Sequence, residues 1–178
     1  MSNSDISDFI SKFKGGARSD RFRCKIFWPA IVGSPTVDET IFITSCDIVG
    51  STVPPATVFF MGRAIQILGD RQVEQFAISV VNDIDYAVRD KFVKWMNGVM
   101  SVKSNVQASS DWHDLLGRIM VQQLDRDGET VLKEITMSYI FPDQVSPIQL
   151  DFSAENQVEV FSVNFAVNLW DTNDGNVT

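Results

Sequence analysis

FFMGRAIQILGDRQVEQFAISVVNDIDYAVRDKFVKW, residues 59–95, decides how this chain is read. Gly62-Arg63 opens a short apolar strand, Ile65 to Leu68, and Gly69-Asp70-Arg71 follows as a turn. Glycine suits a backbone that must turn with positive φ, so a tight turn is expected there, leading into a second strand, Val73 to Val81. After Asn82-Asp83 the apolar period changes from two to 3.6. Val88, Phe92, Trp95, Met96 and Val99 then form one stripe of a helix over about 86–99. Asp83 or Asp85 is expected to cap it, and Asp90 and Lys94 sit four apart on its exposed side. Nothing in this strand–turn–strand–helix unit supplies reactive chemistry. It is a scaffold module, with Phe92 and Trp95 as its core helix residues.

Upstream, Ile6, Phe9, Ile10 and Phe13 recur at helical spacing, so residues 3–14 are expected to form a short amphipathic helix ended by Gly15-Gly16. Its stripe has two available seats, the chain's own domain or a neighbouring copy. The polar face mixes Asp with Lys, which does not suit a membrane surface. Residues 21–32 alternate as a strand, Gly33 to Asp38 read as a turn region, and Thr40 to Val49 as a further strand. Ser51 to Thr57 contains Pro54-Pro55 and reads as a rigid connector, since proline cannot donate to a central ladder.

Downstream, Ser101 to Asp114 is a long polar loop with Trp112 and Leu115-Leu116 as anchors, a candidate contact with a neighbouring subunit. Ile119–Leu124 and Thr130–Ile140 form a hairpin around Asp127-Gly128. Val145–Phe152 reads as an edge strand with Pro147 near its start. Val158–Trp170 alternates most cleanly, with Phe161, Val163, Phe165, Val167 and Leu169 on one face and Ser162, Asn164, Ala166 and Asn168 on the other. The expected fold is mainly β: an antiparallel sandwich or barrel of about eight strands, one flanking amphipathic helix and a short N-terminal helix. The expected organisation is one domain over 1–178. It comprises an N-terminal helical arm (1–16), a β body (17–170) and a flexible tail (171–178).

The chain has 178 residues, of which 44% are hydrophobic and thirteen are Phe, enough for a sizeable core. No apolar run is long enough for a membrane-spanning helix. The first residues lack a signal-peptide core, so synthesis and retention in the cytoplasm are expected. The formal charge is −8. That balance does not grip nucleic-acid phosphates, which need a basic stripe; taken alone it reads as ordinary solubility, and it is also compatible with DNA passing without sticking.

Candidate chemistry is sparse. The single histidine, His113, excludes a multi-histidine metal site. His113 and Asp114 are adjacent, a poor arrangement for a base and its orienting group. Cys24 and Cys46 match no metal or redox spacing and read as buried small hydrophobes rather than a disulfide. There is no nucleophile elbow, phosphate loop, dinucleotide fingerprint or zinc-protease motif. The plentiful aspartates sit at turns, where Asp is a turn former. No enzyme, cofactor or metal is expected. Arg63, Asp70, Arg71, Asp83 and Arg89 stand in apolar surroundings, which suggests salt bridges that fix register within or between subunits.

The ordered set Phe59-x-x-Gly62-Arg63-x-Ile65, Gly69-Asp70-Arg71, Val80-x-Asn82-Asp83, Arg89-x-x-Phe92-x-x-Trp95 resembles the tail tube proteins of contractile-tailed bacteriophages of the T-even type. The likeness continues through Phe141-Pro142, Val145, Leu150-Asp151, Glu159-x-Phe161-x-Val163 and Trp170, covering roughly residues 20 to 171. The resemblance implies hexameric rings stacked into a tube within the virion, assembled in the host cytoplasm. The implied partners are a contractile sheath, baseplate and tail-terminator proteins and a tape-measure protein, with double-stranded DNA in transit and no membrane insertion. It marks Arg63, Gly69, Asp70, Arg71, Asn82, Asp83 and Arg89 as motif and register positions. Two rows remain open as the channel wall: Ser162, Asn164 and Asn168, or Gln122, Gln123 and Glu134. Two relatives in function share the expected fold. One is an effector-carrying tube of a type VI secretion or extracellular contractile injection system. The other is a baseplate or tail-terminator ring.

Overall fold

The computed structural model describes residues 3–33, 41–153 and 157–172. Within them the chain runs α1 (Asn3–Phe13), β1 (Phe22–Phe27), β2 (Ile43–Cys46), β3 (Ser51–Thr52), β4 (Ala56–Phe60), β5 (Arg63–Ile67), β6 (Gln72–Val73), β7 (Phe76–Val81) and α2 (Ala87–Val99). A 3-10 turn (Trp112–Leu115), β8 (Gly117–Leu124), β9 (Val131–Val145) and β10 (Val160–Thr172) complete it. The turn region expected over Gly33–Asp38, the first two residues and the tail beyond Thr172 lie largely or wholly outside the described residues.

Six strands form one antiparallel sheet in the order β1-β8-β9-β10-β7-β2. Alternation turns Cys24 and Ile26, Ile119 and Val121, Ile135 and Met137, Phe161, Val163 and Phe165, and Phe76, Ile78 and Val80 to the core side. The sheet curls until its two end strands come within reach of each other at Cys24 and Cys46. The Cys24 thiol of β1 hydrogen-bonds Cys46 of β2, and that bond, followed by burial, pushes the Cys24 pKa up. The mainly β, barrel-like architecture expected from the sequence is therefore present.

Helix α2 covers the core with Val88, Phe92 and Trp95. Trp28, Phe92, Trp95, Phe161 and Phe165 make a continuous aromatic cluster, with Trp28–Phe92 ring centroids 4.8 Å apart. The indole N–H of Trp95 donates to the Leu115 carbonyl at 2.7 Å, so the buried polar atom is satisfied. The loop between α2 and β8 folds back onto the helix through Ala108 N–H to Gly98 O. Leu115 is buried there as an anchor, whereas Trp112 is exposed.

Several expected boundaries move, each for a physical reason. The helix is not entered through an aspartate N-cap. Tyr86 takes that position with φ 55°, and Asp83 Oδ2 instead accepts the N–H of Ala87 at 3.3 Å. Val73–Val81 is two strands, because Val73 and the row Phe76, Ile78, Val80 are out of phase by one residue. Val145 ends β9 rather than starting an edge strand, so residues 146–150 have no strand. Strand β9 runs through Pro142 because the paired strand shifts register between Asn164 and Phe165, opposite that residue. In β10 the core-facing row stops at Val167. Leu169 is exposed and Trp170 packs toward the core instead, beside the left-handed Tyr139 of β9 (φ 56°).

The β8–β9 turn follows its sequence signal. Asp127 accepts the N–H groups of Glu129 and Thr130 and the Thr130 hydroxyl, and Gly128 has φ 78°. The Thr130 hydroxyl first, then those N–H groups, hold the Asp127 carboxyl below the usual aspartate range.

Candidate assembly surfaces

The largest departure from the expected layout is the β4–β5 hairpin. Ala56–Phe60 pairs with Arg63–Ile67, and the turn is Met61-Gly62, both with positive φ (46° and 77°). A two-residue loop with both residues left-handed is the type I′ geometry that matches strand twist. Gly69-Asp70 is therefore not the hairpin turn. It lies at the base, where β3 and β6 pair as a short neck. Gly69 is required there by close approach: an added Cβ would stand 2.0 Å from the Pro54 carbonyl oxygen. Gly69→Ala is expected to loosen the neck by about 1–3 kcal/mol. Hydrogen exchange of the hairpin amides checks this, with the core strands unchanged.

Alternation gives the hairpin two unlike faces. Ala56, Val58 and Phe60 of β4 share one face with Ile67, Ile65 and Arg63 of β5. The other face carries Phe59 and Ala64, and a Thr57–Gln66 side-chain hydrogen bond of 3.1 Å. Every residue of both strands is exposed, including Val58 (48%), Phe60 (60%), Ile65 (47%) and Ile67 (47%). Sequence reading missed this surface. The alternation of Ala56, Val58 and Phe60 was its signal, hidden behind Pro54-Pro55.

Helix α1 presents the second uncovered surface. Ile6, Phe9, Ile10 and Phe13 are all at least half exposed, and the Phe9 and Phe13 rings stack at 5.1 Å. Two hydrogen bonds tie the arm to the body just after its helix ends. Gly15 O accepts from Arg126 at 3.0 Å, and Arg18 O accepts from Gln123 at 3.4 Å.

The motif charges are placed as follows. Arg63 lies exposed beside the hairpin tip and Asp70 exposed at its base. Arg71 donates to Ser51 Oγ at 3.0 Å and covers the Trp170 ring, pinning the neck to β10. Arg89 donates to Ser146 O at 3.2 Å and lies over Phe161. Asn82 Nδ2 and the Tyr86 hydroxyl both donate to Glu159 Oε2, at 2.8 Å and 3.0 Å, which ties the start of α2 to β10. The Glu159 contact raises the Tyr86 pKa. Among the described residues Arg71 and Arg89 are thus held by neutral oxygens and aromatic rings rather than by carboxylates.

Ser162, Asn164 and Asn168 lie on the non-core side of the sheet, as do Gln122 and Glu134. Gln123 follows Gln122 in β8 and alternates to the face of Val121, so the second row does not hold together as one surface. Ser162 N–H donates to Ser146 Oγ, Asn164 reaches Gln144, and Asn168 donates to the Tyr139 carbonyl at 2.7 Å. Gln122 is nearly buried, bonded to Glu134 at 2.6 Å, and pairs across the ladder with Arg23. His113 meets Asp111 rather than Asp114, at 3.0 Å on the surface. The His113 backbone N–H, then its ring, lower the Asp111 pKa. Among the described residues no group of three His, Cys, Asp or Glu is placed to hold a metal, and no helix is long and apolar enough to cross a membrane.

A family model described as phage tail tube protein matches residues 20–173. The tail tube protein gp19 of Enterobacteria phage T4 is 32% identical over 114 residues, 64% of this chain and 69% of the relative. The tail tube protein of Serratia phage KSP90 is 23% identical over 155 residues, 86% of each. Among solved structures, the fold is shared with a chain of the sheath–tube complex of the PVC extracellular contractile injection system. The TM-score is 0.64 and identity 14%, over 97% of both chains. A chain of the anti-feeding prophage baseplate gives TM-score 0.66 and 11% identity, over 88% of this chain and 94% of that one.

Proposed function

Because this chain belongs to the phage tail tube protein family, we propose that its copies close into hexameric rings that stack into the inner tube of a contractile tail and carry double-stranded DNA on ejection. The role is structural and needs no catalytic group. The observation that carries the ring is the course of β10. It pairs with β7 only over residues 160–165, then continues to Thr172 with β9 alone on its other side. That leaves a long open edge from Ala166 onward, a template for a strand of a second copy. A neighbour's strand there satisfies the free ladder and closes the wall of a channel.

The charge fits passage without capture. Six copies bring roughly fifty formal negative charges to a ring, which weakens any grip on phosphate. Of the two wall rows, the Ser162–Asn164 row is the better lining. Its ladder partners, Ser79, Ala77 and Gln144, are uncharged. The Gln122–Glu134 row lies beside Arg23 and Lys25, which would hold phosphates. Contacts with sheath, baseplate, terminator and tape-measure proteins belong to this reading. The DNA cargo is favoured over protein effectors because the relatives near 30% identity are phage tail tubes, while the injection-system likeness is one of fold alone.

Negative-stain electron microscopy of the purified chain over a range of concentrations tests the proposal. Long hollow tubes of uniform width support it. Discrete rings that never elongate point to a terminator or baseplate role, and a monomer at every concentration overturns it.

A further inference from the structure

We propose that the apolar stripe of α1 in one copy lies on the apolar face of the β4–β5 hairpin in another, so that subunits are linked arm to hairpin. The inference rests on the reading that copies of this chain assemble, and it names the surfaces that do so. Each surface needs a cover. An isolated helix shorter than about 12–15 residues is marginal in water, and α1 has 11. A lone two-stranded hairpin is likewise marginal. Yet Ile6, Phe9, Ile10 and Phe13 on one element, and Val58, Phe60, Ile65 and Ile67 on the other, remain open to solvent in the single chain.

The two elements match in length. At a rise of 1.5 Å per residue α1 spans about 16 Å, and five strand residues at about 3.4 Å each span about 17 Å. They also match in charge. The helix is acidic in its first turn (Asp5) and basic in its last (Lys12), with Lys14 just beyond. The hairpin is basic beside its tip (Arg63) and acidic past its base (Asp70). With the helix N-terminus toward the tip, opposite charges face each other at both ends. Phe9, Phe13 and Phe60 each offer on the order of 150–250 Å². All of these side chains are only about half to two thirds exposed, so one joint falls short of the roughly 800 Å² per partner of a stable interface, and repetition round a ring makes up the difference.

Two full-length variants test this, Ile10→Cys and Ile65→Cys, with the native cysteines retained. They are mixed in equal amounts, assembled, oxidised with copper phenanthroline and run on a non-reducing gel. The expected result is a covalent dimer, released by reductant, in the mixture and in neither variant alone. Tubes that form without that dimer overturn the joint and leave the tube reading standing. A disulfide found only within single chains of the Ile10→Cys/Ile65→Cys double variant overturns it too, since the arm would then seat on its own hairpin. A chain that stays monomeric overturns both readings.

Discussion

Phe92→Ala lowers the folding stability of the subunit by about 3–5 kcal/mol, the range for truncating a fully buried aromatic. Phe92 has no exposed surface, and its ring meets Trp28, Phe161 and Phe165 at 4.8, 6.2 and 6.0 Å. The three neighbours come from the segment after β1 and from β10, so the ring joins distant parts of the chain and no single side chain can collapse into the space it leaves. Typical domains hold about 5–15 kcal/mol in all, so the loss is more than about half of the total at the lower end and roughly a fifth to a third at the upper. Urea unfolding of the unassembled subunit measures it. Val93→Ala, next in sequence but 40% exposed, is the control and shifts stability by no more than about 0.5 kcal/mol. Equal effects at the two positions would mean that α2 is not the cover of the core.

The same helix shows which parts of this fold are legible in sequence. Helix α2 is written locally, in a stripe at 3.6-residue spacing, and the β8–β9 hairpin is written in Asp127-Gly128 and the alternation on either side. The family motif is likewise a matter of residue order. What escapes local reading is set by groups far apart in the chain. Gly69 carries the signal of a turn residue, but its need arises from the Pro54 carbonyl. Pro142 argues against a strand until the register shift opposite it in β10 is known. The row Ala56, Val58, Phe60 alternates as a strand should, but an alternating row normally faces a core, and here it faces solvent. A single chain's sequence holds no sign of where a second copy would lie, so an exposed apolar row looks like misplaced core. The motif charges read as salt bridges within or between subunits; within one chain Arg71 and Arg89 meet Ser51, Trp170, Ser146 and Phe161.

A chain carrying both Val58→Lys and Ile65→Lys folds as the native subunit does and fails to build tubes. Val58 and Ile65 are direct cross-strand partners on the apolar face of the hairpin, each about half exposed. In the free subunit the new ammonium groups reach water, and each surface change costs no more than about 0.5 kcal/mol. The repulsion between facing lysines loosens the hairpin alone, in the companion variant as much as in this one. In an assembly that covers this face they are brought side by side into an apolar seat with no carboxylate opposite them. An unpaired buried charge costs several kcal/mol, and at about 1.4 kcal/mol per factor of ten two at each joint weaken it by more than about a thousandfold. The penalty recurs at every subunit, so the concentration needed for assembly rises beyond reach while the melting curve of the subunit stays in place. The companion variant Thr57→Lys/Gln66→Lys puts the same two charges on the opposite face of the same ladder, which Thr57 and Gln66 share with Phe59 and Ala64. It keeps the added charge and the lysine content constant and changes only the face. Light scattering and negative-stain microscopy separate the two. Tubes from the first variant at native concentrations would mean that the apolar face stays in solvent after assembly. Loss of tubes from both would make the cause net charge rather than a covered face.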